Sequence, residues 1–316
     1  RPPIDGLDNE GVFTLRSIPD TCRIKEFIES RRPNQAVVIG GGYIGIEMAE
    51  NLKKAGLSVT VVEMAPHVIA SIDDDTAADV HDYLTQQGIR LMLNNGVKSI
   101  SSSPDGLQVQ LTRGEICAQM AVLSVGVTPE SALAKDAGIL VNQRGCIIVD
   151  DRMRTSAPDV YAVGDVVEST DFVTRRTGYI PLAGPANKQG RIAADNIIGL
   201  ESRYTGTQGS AVLKLFDMTV ACTGITEKTA KTLGIDYEKV HTYSSNHATY
   251  YPGSSGMAIK LLFEKATGRV LGGQFVGYDG VDKRCDVLAT AIRAGMTVYD
   301  LTHLELCYAP PFSSAK

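Results

Sequence analysis

The sequence contains no tryptophan, and aromatic residues make up only 6% of its 316 residues. It also lacks a basic excess, since 31 Lys and Arg stand against 36 Asp and Glu, a net charge of −5. Because nucleic-acid affinity comes largely from neutralised phosphates, we expect no nucleic-acid partner. The longest apolar run, 36–46, contains four glycines and is much shorter than the ~20 residues of a membrane span. We therefore expect no membrane partner either.

Common metal and redox motifs are missing as well. The six cysteines are scattered without a C-x-x-C pair, the five histidines do not form H-E-x-x-H, and no G-x-S-x-G is present. This spacing argues against a zinc site, a redox dithiol and a serine nucleophile on a strand–helix turn. We predict no metal site, and free thiols in a reducing cytoplasm are the expected state of the cysteines.

Glycine, by contrast, is abundant, at 31 residues. In the first part of the chain, short apolar runs alternate with stretches of helical periodicity, which predicts a parallel sheet with helical crossovers. The predicted elements are strand Ala36–Ile39, helix Tyr43–Ala55, strand Ser58–Glu63, helix Asp73–Gln87 and strand Ile89–Leu93.

The rest of the chain is richer in strands. Turn residues such as Pro104-Asp105-Gly106 separate short apolar segments, and a hairpin precedes an amphipathic helix near the end. The predicted elements are strands Val97–Ser102, Leu107–Leu111, Ile116–Val125, Cys146–Val149 and Val160–Val163, helix Pro185–Ile198, paired strands Met257–Phe263 and Arg269–Val276, and helix Asp282–Ala294.

The segment that follows the first strand fits G-x-G-x-x-G, with Gly40, Gly42 and Gly45 at the fixed positions. In a strand–turn–helix context these glycines permit a tight turn, close approach of a pyrophosphate and close packing of helix on strand. A glycine-rich turn without a ligand is the alternative. Glu63, at the end of the next predicted strand, is placed to bind a ribose 2′-hydroxyl and to repel a 2′-phosphate, which predicts NADH rather than NADPH.

A second motif runs from Thr155 to Asp165 and ends in V-Y-A-V-G-D. Together with the glycine motif and Glu47, it resembles the flavin and NAD motifs of the pyridine nucleotide–disulfide oxidoreductases. Segments Pro181–Arg191 and Tyr308–Lys316 are similar to those of coenzyme A-disulfide reductases and NADH-dependent persulfide reductases.

The resemblance implies an α/β fold in which a Rossmann-like NAD domain is inserted in a partial FAD domain and followed by an α+β dimerisation domain. The implied boundaries are a lead-in from the FAD domain at 1–33, the NAD(H) domain at 34–127, further FAD-domain sequence at 128–208 and an incomplete dimerisation domain at 209–316.

The resemblance also implies residue roles. Asp165 binds the flavin ribityl chain, and the helix that begins at Leu182 and Ala183 directs its N-terminus at the flavin. Tyr43 covers the flavin face at which nicotinamide docks, and Tyr308, with Tyr251 or Tyr250, reaches the disulfide-exchange site. The remaining implied cofactor contacts are Ile44, Glu47, Gly126 and Gly164. Packing in a helix–strand crevice is the alternative for Tyr43, solvation is the alternative for Glu47, and interface packing is the alternative for the other tyrosines.

The implied protein is a cytoplasmic homodimer that uses FAD and NADH to reduce a coenzyme A disulfide or a persulfide. An NADH oxidase or peroxidase of the same fold is the alternative, as is a module that only binds nucleotide and dimerises. No residue matches the family's reactive cysteine or its first flavin motif. We therefore expect a C-terminal portion of the enzyme that holds little FAD and lacks reductase activity by itself.

Overall fold

The structure, a computed structural model, describes residues 2–314. Of the segment Tyr308–Lys316, Ala315 and Lys316 lie outside the described residues. The elements of the first part are β1 (Val12–Thr14), α1 (Ile18–Arg31), β2 (Gln35–Ile39), α2 (Tyr43–Lys54), β3 (Ser58–Val62), α3 (Asp74–Gln86), β4 (Ile89–Met92), β5 (Val97–Ser103), β6 (Gly106–Leu111), β7 (Glu115–Ala118) and β8 (Met120–Leu123).

A five-stranded parallel sheet with the order β1-β8-β2-β3-β4 forms the first domain. Its central strands are apolar and buried on both faces, as parallel strands covered by helices require. The predicted alternation of strands and helices is confirmed. The predicted lead-in also contributes to this sheet, because β1 forms its edge and Phe13 and Phe27 pack on its core.

The predicted single strand Ile116–Val125 is wrong. It is divided at Gln119 into β7, which belongs to the three-stranded antiparallel sheet β5-β6-β7, and β8, which crosses into the parallel sheet. The Gln119 side-chain oxygen accepts hydrogen bonds from the backbone N–H groups of Asn34 (2.8 Å) and Gln35 (2.9 Å). A residue that belongs to neither strand thus fixes the start of β2.

The middle of the chain has little regular structure. The predicted strands Cys146–Val149 and Val160–Val163 are wrong, because Ile147 and Tyr161 form isolated bridges instead of ladders. Helix 183–197 confirms the predicted helix in this part. The elements are α4 (Ala132–Asp136), a 3-10 turn (Gly164–Val166), β9 (Ser169–Thr170), β10 (Thr177–Gly178) and α5 (Ala183–Ile197).

A second five-stranded sheet, antiparallel throughout, forms the C-terminal domain. Its elements are β11 (Ala211–Leu215), β12 (Met218–Gly224), α6 (Glu227–Leu233), β13 (Tyr237–Ser245), β14 (Gly256–Glu264), β15 (Val270–Gly277), α7 (Val281–Ala294) and α8 (Val298–Leu301). The strand order is β11-β12-β15-β14-β13, and α7 packs on β12 and β15. The predicted hairpin and closing helix are confirmed. Within residues 2–314, no helix is long and apolar enough to cross a membrane.

A buried lysine connects the two domains. The Lys260 side chain on β14 is 1% exposed, and its ammonium lies 2.9 Å from Asp73 Oδ2, 2.8 Å from Asp75 Oδ1 and 2.6 Å from Glu227 Oε2. Asp73 precedes α3 in the first domain, whereas Glu227 begins α6 in the second. Asp73 also accepts hydrogen bonds from the Gln274 side chain (2.6 Å) and the Glu227 N–H (3.1 Å).

These contacts lower the pKa of the Glu227 carboxyl. Burial alone raises the pKa of Glu227, but hydrogen bonds from Lys239, Lys260 and Tyr237 outweigh it and hold that pKa far below its ordinary value of 4.5. A carboxylate whose pKa is lower in the folded state stabilises the fold above its unfolded-state pKa. The stabilisation is therefore present at neutral pH and is lost as the pH falls below about 4.5.

We predict that Glu227→Gln lowers the stability at pH 7 by about 3 kcal/mol, the usual result of removing one partner from a buried ion pair. We also predict that its free energy of unfolding changes less than the wild type's between pH 5 and pH 3. Urea unfolding at a series of pH values measures both effects. Glu238→Gln is the control, because Glu238 makes an exposed ion pair with Lys265 on the same sheet. If the free energy of unfolding depended on pH equally in wild type and Glu227→Gln, a lowered pKa of Glu227 in the folded state would be contradicted.

Candidate functional site

The glycine motif forms a tight turn between β2 and α2. Gly40 has φ +107°, in the region that favours glycine, and its N–H donates to the Val62 carbonyl at 2.8 Å. A Cβ on Gly45 would lie 1.9 Å from the Gly40 carbonyl oxygen, and one on Gly40 would lie 2.4 Å from that of Ser124. Gly40 and Gly45 therefore allow the turn, the helix and the end of β8 to approach closely.

Gly42 differs from these two glycines. It is the N-cap residue of α2, it is exposed, and its φ of −75° is open to any residue. A Cβ added there would meet no heavy atom within 4 Å in the part of the chain that the structure describes, apart from its chain neighbours. No side chain among residues 2–314 caps α2, so the first N–H groups of the helix are available to an anion.

Glu63, the residue after β3, binds the glycine turn through its carboxylate. Its Oε2 accepts a hydrogen bond from the Gly41 N–H at 2.6 Å, and its Oε1 accepts one from the Ala65 N–H at 2.7 Å. The Gly41 carbonyl in turn accepts from the Ile69 N–H at 2.8 Å. Glu63 thus holds a fixed negative charge beside the glycine turn, and each of its oxygens keeps a lone pair for another donor.

Tyr43, the first residue of α2, is half-buried against an apolar core to which both the first and the C-terminal domain contribute. Its hydroxyl lies 2.5 Å from Ser71 Oγ and 3.7 Å from Cys222 Sγ. Burial and the nearby Cys222 raise the pKa of Tyr43 far above its ordinary value of 10.0, so the phenol stays protonated. The neighbouring Ile44 and Glu47 are exposed on the surface of α2.

Gly126 lies beyond the end of β8, the strand that neighbours β2 in the sheet. It is exposed with φ +98° and lies between Val125 and Val127, which are both exposed apolar residues. The turn at Gly40 and the segment at Gly126 therefore lie at the carboxyl end of adjacent parallel strands. Ligands of open parallel sheets bind at this edge.

The second sequence motif packs on α5. The Gly164 N–H donates to Gln189 Oε1 at 2.8 Å, and Gln189 is buried, so the 3-10 turn is fixed against the helix. Asp165 and Ala183 are exposed, whereas Leu182 is half-buried at the N-cap position. Among residues 2–314 no side chain caps α5. The structure thus brings an exposed carboxylate and an open helix N-terminus together.

The predicted tyrosines lie on the C-terminal domain. Tyr308 is 52% exposed, and its hydroxyl lies 3.5 Å from that of Tyr250. The hydrogen bond with Tyr308 raises the pKa of Tyr250 above its ordinary value. Tyr251 instead places its ring edge-to-face with His247, with the centroids 5.8 Å apart. Tyr250 is therefore the tyrosine that accompanies Tyr308.

Sequence reasoning missed Ser71, Cys222 and the ion cluster at Lys260. Asp73 and Asp75 were expected only as the start of a predicted helix, but both also bind Lys260. A lysine at a core position of β14 was the available signal, because a buried charge requires partners. Ser71 and Cys222 gave no such signal, since an isolated serine or cysteine has no pattern.

The exposed backbone at Gly42, the uncapped N-terminus of α2 and the hydrogen-bonded Glu63 carboxylate fit a dinucleotide. The open N-terminus of α5, with Gly164 and Asp165 beside it, fits one part of a flavin.

We predict that Gly45→Ala lowers the free energy of unfolding by about 1–3 kcal/mol, because its methyl group would collide with the Gly40 carbonyl. Gly42→Ala is the matched variant, since the same methyl group would enter open space. It should keep the wild-type melting temperature while weakening NADH binding. Thermal unfolding and a binding titration measure the two effects, and equal melting temperatures for both variants would refute this reading of the turn.

The chain is similar to known proteins along its whole length. Residues 1–190 match the pyridine nucleotide-disulphide oxidoreductase family, and residues 210–316 match the dimerisation domain of the same family. The chain is 37% identical to an NADH oxidase of Methanocaldococcus jannaschii over 99% of its length and 69% of that protein. It is 35% identical to an NAD(P)H coenzyme A polysulfide/persulfide reductase of Pyrococcus horikoshii, over 99% of the chain and 70% of that protein.

The chain is also similar to a solved structure of a related protein. Reduced CoADR-RHD of Bacillus anthracis superposes with a TM-score of 0.97 and 49% identity, over 100% of this chain and 57% of that one. The chain thus spans less than two thirds of that structure and about 70% of the two relatives. The predicted fold class is confirmed, and the chain belongs to the pyridine nucleotide-disulphide oxidoreductase family.

Proposed function

We propose that the chain serves an FAD-dependent, NADH-using reductase of coenzyme A disulfides or persulfides. The observation that carries this choice is the exposed pair of hydroxyls at Tyr250 and Tyr308. Reduction of a disulfide or persulfide releases a sulfur anion, and a phenol that stays protonated at neutral pH can stabilise it. The relative that acts on coenzyme A polysulfide and persulfide supports this assignment of substrate class.

When bound, NADH supplies a hydride and FAD passes the electrons on to sulfur. The proposed contribution of this chain is binding and orientation. Gly40, Gly42 and Gly45 would receive the pyrophosphate of the dinucleotide, and Glu63 would bind its ribose. Ile44, Glu47 and Gly126 would line the path to the nicotinamide. These roles follow from the helix N-terminus and the open backbone at the carboxyl edge of the sheet.

The flavin contacts form the second proposed group. Asp165 would accept hydrogen bonds from ribityl hydroxyls, and the first turn of α5 at Leu182 and Ala183 would direct its positive end at the flavin. Gly164 would give the backbone room beside them. Negative charge that accumulates on a flavin during reduction is stabilised by such a helix end.

A homodimer is the proposed assembly, because residues 210–316 match a dimerisation domain. Tyr250 and Tyr308 lie on that domain and would act toward the partner's disulfide-exchange site. The 3.5 Å between their hydroxyls permits one phenol to hold the other in place. Tyr251, against His247, would support the same loop.

An NADH oxidase is the second candidate function, because the relative at 37% identity carries that name. Oxygen as acceptor produces no sulfur leaving group, so a phenol pair would have no corresponding role. The response of each reaction to loss of the tyrosine hydroxyls therefore separates the two functions.

We predict that Tyr308→Phe lowers kcat with coenzyme A disulfide by about 100-fold, the lower end of general acid catalysis, and leaves NADH-dependent oxygen consumption unchanged. The assay follows NADH absorbance of the holoenzyme with coenzyme A disulfide, a persulfide and oxygen in turn. Tyr299→Phe is the control, since Tyr299 is also exposed on this domain. Turnover with oxygen alone would favour the oxidase and overturn the reductase assignment.

We also propose that NADH is preferred over NADPH. Glu63 presents a fixed carboxylate, and the next residues, Met64, Ala65 and Pro66, offer no cation for a 2′-phosphate. Glu63→Gln removes the charge and should reduce the ratio of NADH to NADPH affinity about tenfold, equivalent to ~1.4 kcal/mol. Titration of wild type and variant with both nucleotides measures this ratio. Equal wild-type affinity for both nucleotides would refute the preference.

A further inference from the structure

Two histidines hold the backbone of Val68, in the segment between β3 and α3. The Val68 N–H donates to Nε2 of His81 on α3 at 3.2 Å, and the Val68 carbonyl lies 2.8 Å from Nδ1 of His67. A carbonyl oxygen only accepts hydrogen bonds, so His67 donates through Nδ1. Because His81 Nε2 accepts, the proton of its neutral ring lies on Nδ1. The two rings thus satisfy both backbone polar groups of one buried residue.

Val68 and its neighbours contact the glycine turn directly. A Cβ added to Gly41 would lie 2.9 Å from Val68 Cγ1, so the valine side chain covers this glycine. The next residue, Ile69, donates its N–H to the Gly41 carbonyl at 2.8 Å. The Gly41 N–H donates to Glu63, whose other carboxylate oxygen accepts from the Ala65 N–H. The segment that the histidines hold therefore fixes both the glycine turn and the Glu63 carboxylate.

His81 accepts this hydrogen bond only while its ring is neutral, because both nitrogens of a protonated ring are donors. Burial lowers the pKa of His81 below its ordinary value of 6.5, and the neighbouring His67 lowers it further, whereas Asp74 acts in the opposite direction. His67 belongs to the segment before α3, and its Nε2 lies 3.3 Å from Oδ1 of Asp74, on α3 itself. The His81 ring is therefore predominantly neutral at pH 7 and becomes protonated at a pH below 6.5.

We propose that His81 is a positioning residue of the nucleotide site: its neutral ring fixes the backbone of Val68, and protonation of the ring releases the glycine turn and weakens nucleotide binding. The ligand concerned is the ADP half of a dinucleotide, since that is the part that the turn and Glu63 would bind. The inference rests on the proposed function, because it takes this turn as the nucleotide site. It adds that a side chain of α3 makes the affinity depend on pH.

The neutral ring belongs to the form that binds nucleotide, which determines the direction of the pH dependence. The affinity is therefore highest above pH 6.5 and falls as the pH drops through the lowered pKa of His81. A neutral hydrogen bond changes an equilibrium by about two- to tenfold, so the dissociation constant of NAD⁺ should rise by about this factor between pH 8 and pH 5. Because linkage is reciprocal, bound NAD⁺ should lower the pKa of His81 in turn.

The experiment titrates the holoenzyme with NAD⁺ by calorimetry at pH 8 and pH 5, because NAD⁺ binds without reducing the flavin. NMR of the histidine rings measures the pKa of His81 with and without NAD⁺. His81→Gln keeps a side-chain oxygen that accepts from Val68 at either pH, so its affinity should stay constant. His81→Leu has no acceptor and should bind about two- to tenfold more weakly than wild type at pH 8.

His303→Gln is the matched control, since His303 is exposed near the end of the C-terminal domain. It should show the pH dependence of the wild type. A dissociation constant that rises on acidification in wild type but not in His81→Gln, together with a pKa of His81 that NAD⁺ lowers, supports the positioning role.

The contrary outcomes separate this role from the proposed function. If wild type binds NAD⁺ equally well at both pH values, if His81→Gln loses affinity as wild type does, or if NAD⁺ leaves the pKa of His81 unchanged, the positioning role is overturned and the proposed function stands. If wild type does not bind NAD⁺ at pH 8, the proposed function is overturned, and the role of His81 falls with it.

Discussion

The docking of the two domains centres on one buried ammonium group. Lys260 brings three carboxylates together, Asp73 and Asp75 from the first domain and Glu227 from the second. Lys260, Asp73 and Glu227 are buried, and they need one another because desolvation of an isolated charge costs several kcal/mol. The ion cluster thus adds a polar contact to the apolar core that the two domains share.

The ion cluster is connected to the glycine turn through a short segment. Asp73 is fixed by Gln274 and by the Glu227 N–H, and Ser71 lies two residues before it. The same segment returns to the glycine turn through the hydrogen bond from Ile69 to Gly41. One short segment, residues 69–73, thus contacts the glycine turn, the Tyr43 hydroxyl and the Lys260 ammonium.

Much of this fold follows from local patterns. The glycine turn, the helices that end at glycine and the hairpin at β14 and β15 were predictable because periodicity and turn chemistry act over a few residues. The division at Gln119 was not, since 116–125 is continuously compatible with a strand and only the competition between two sheets divides it. Contacts such as Tyr43 with Cys222 join residues far apart in sequence, and no local pattern reports them. The roles of Glu63, Asp165 and Tyr308 remain predictions.

The single residue between β7 and β8 has a further consequence, for tolerance of insertions. Side chains alternate between the faces of a sheet, so one extra residue at Gln119 would turn every side chain of β8 to the opposite face. It would also displace the Gln119 side-chain oxygen that accepts hydrogen bonds from the backbone N–H groups of Asn34 and Gln35. Changes in chain length should therefore accumulate at the exposed turn of Arg113 and Gly114 and be absent here. The one-residue junction at Gln119 therefore fixes both the face of the side chains of β8 and the position at which β2 begins.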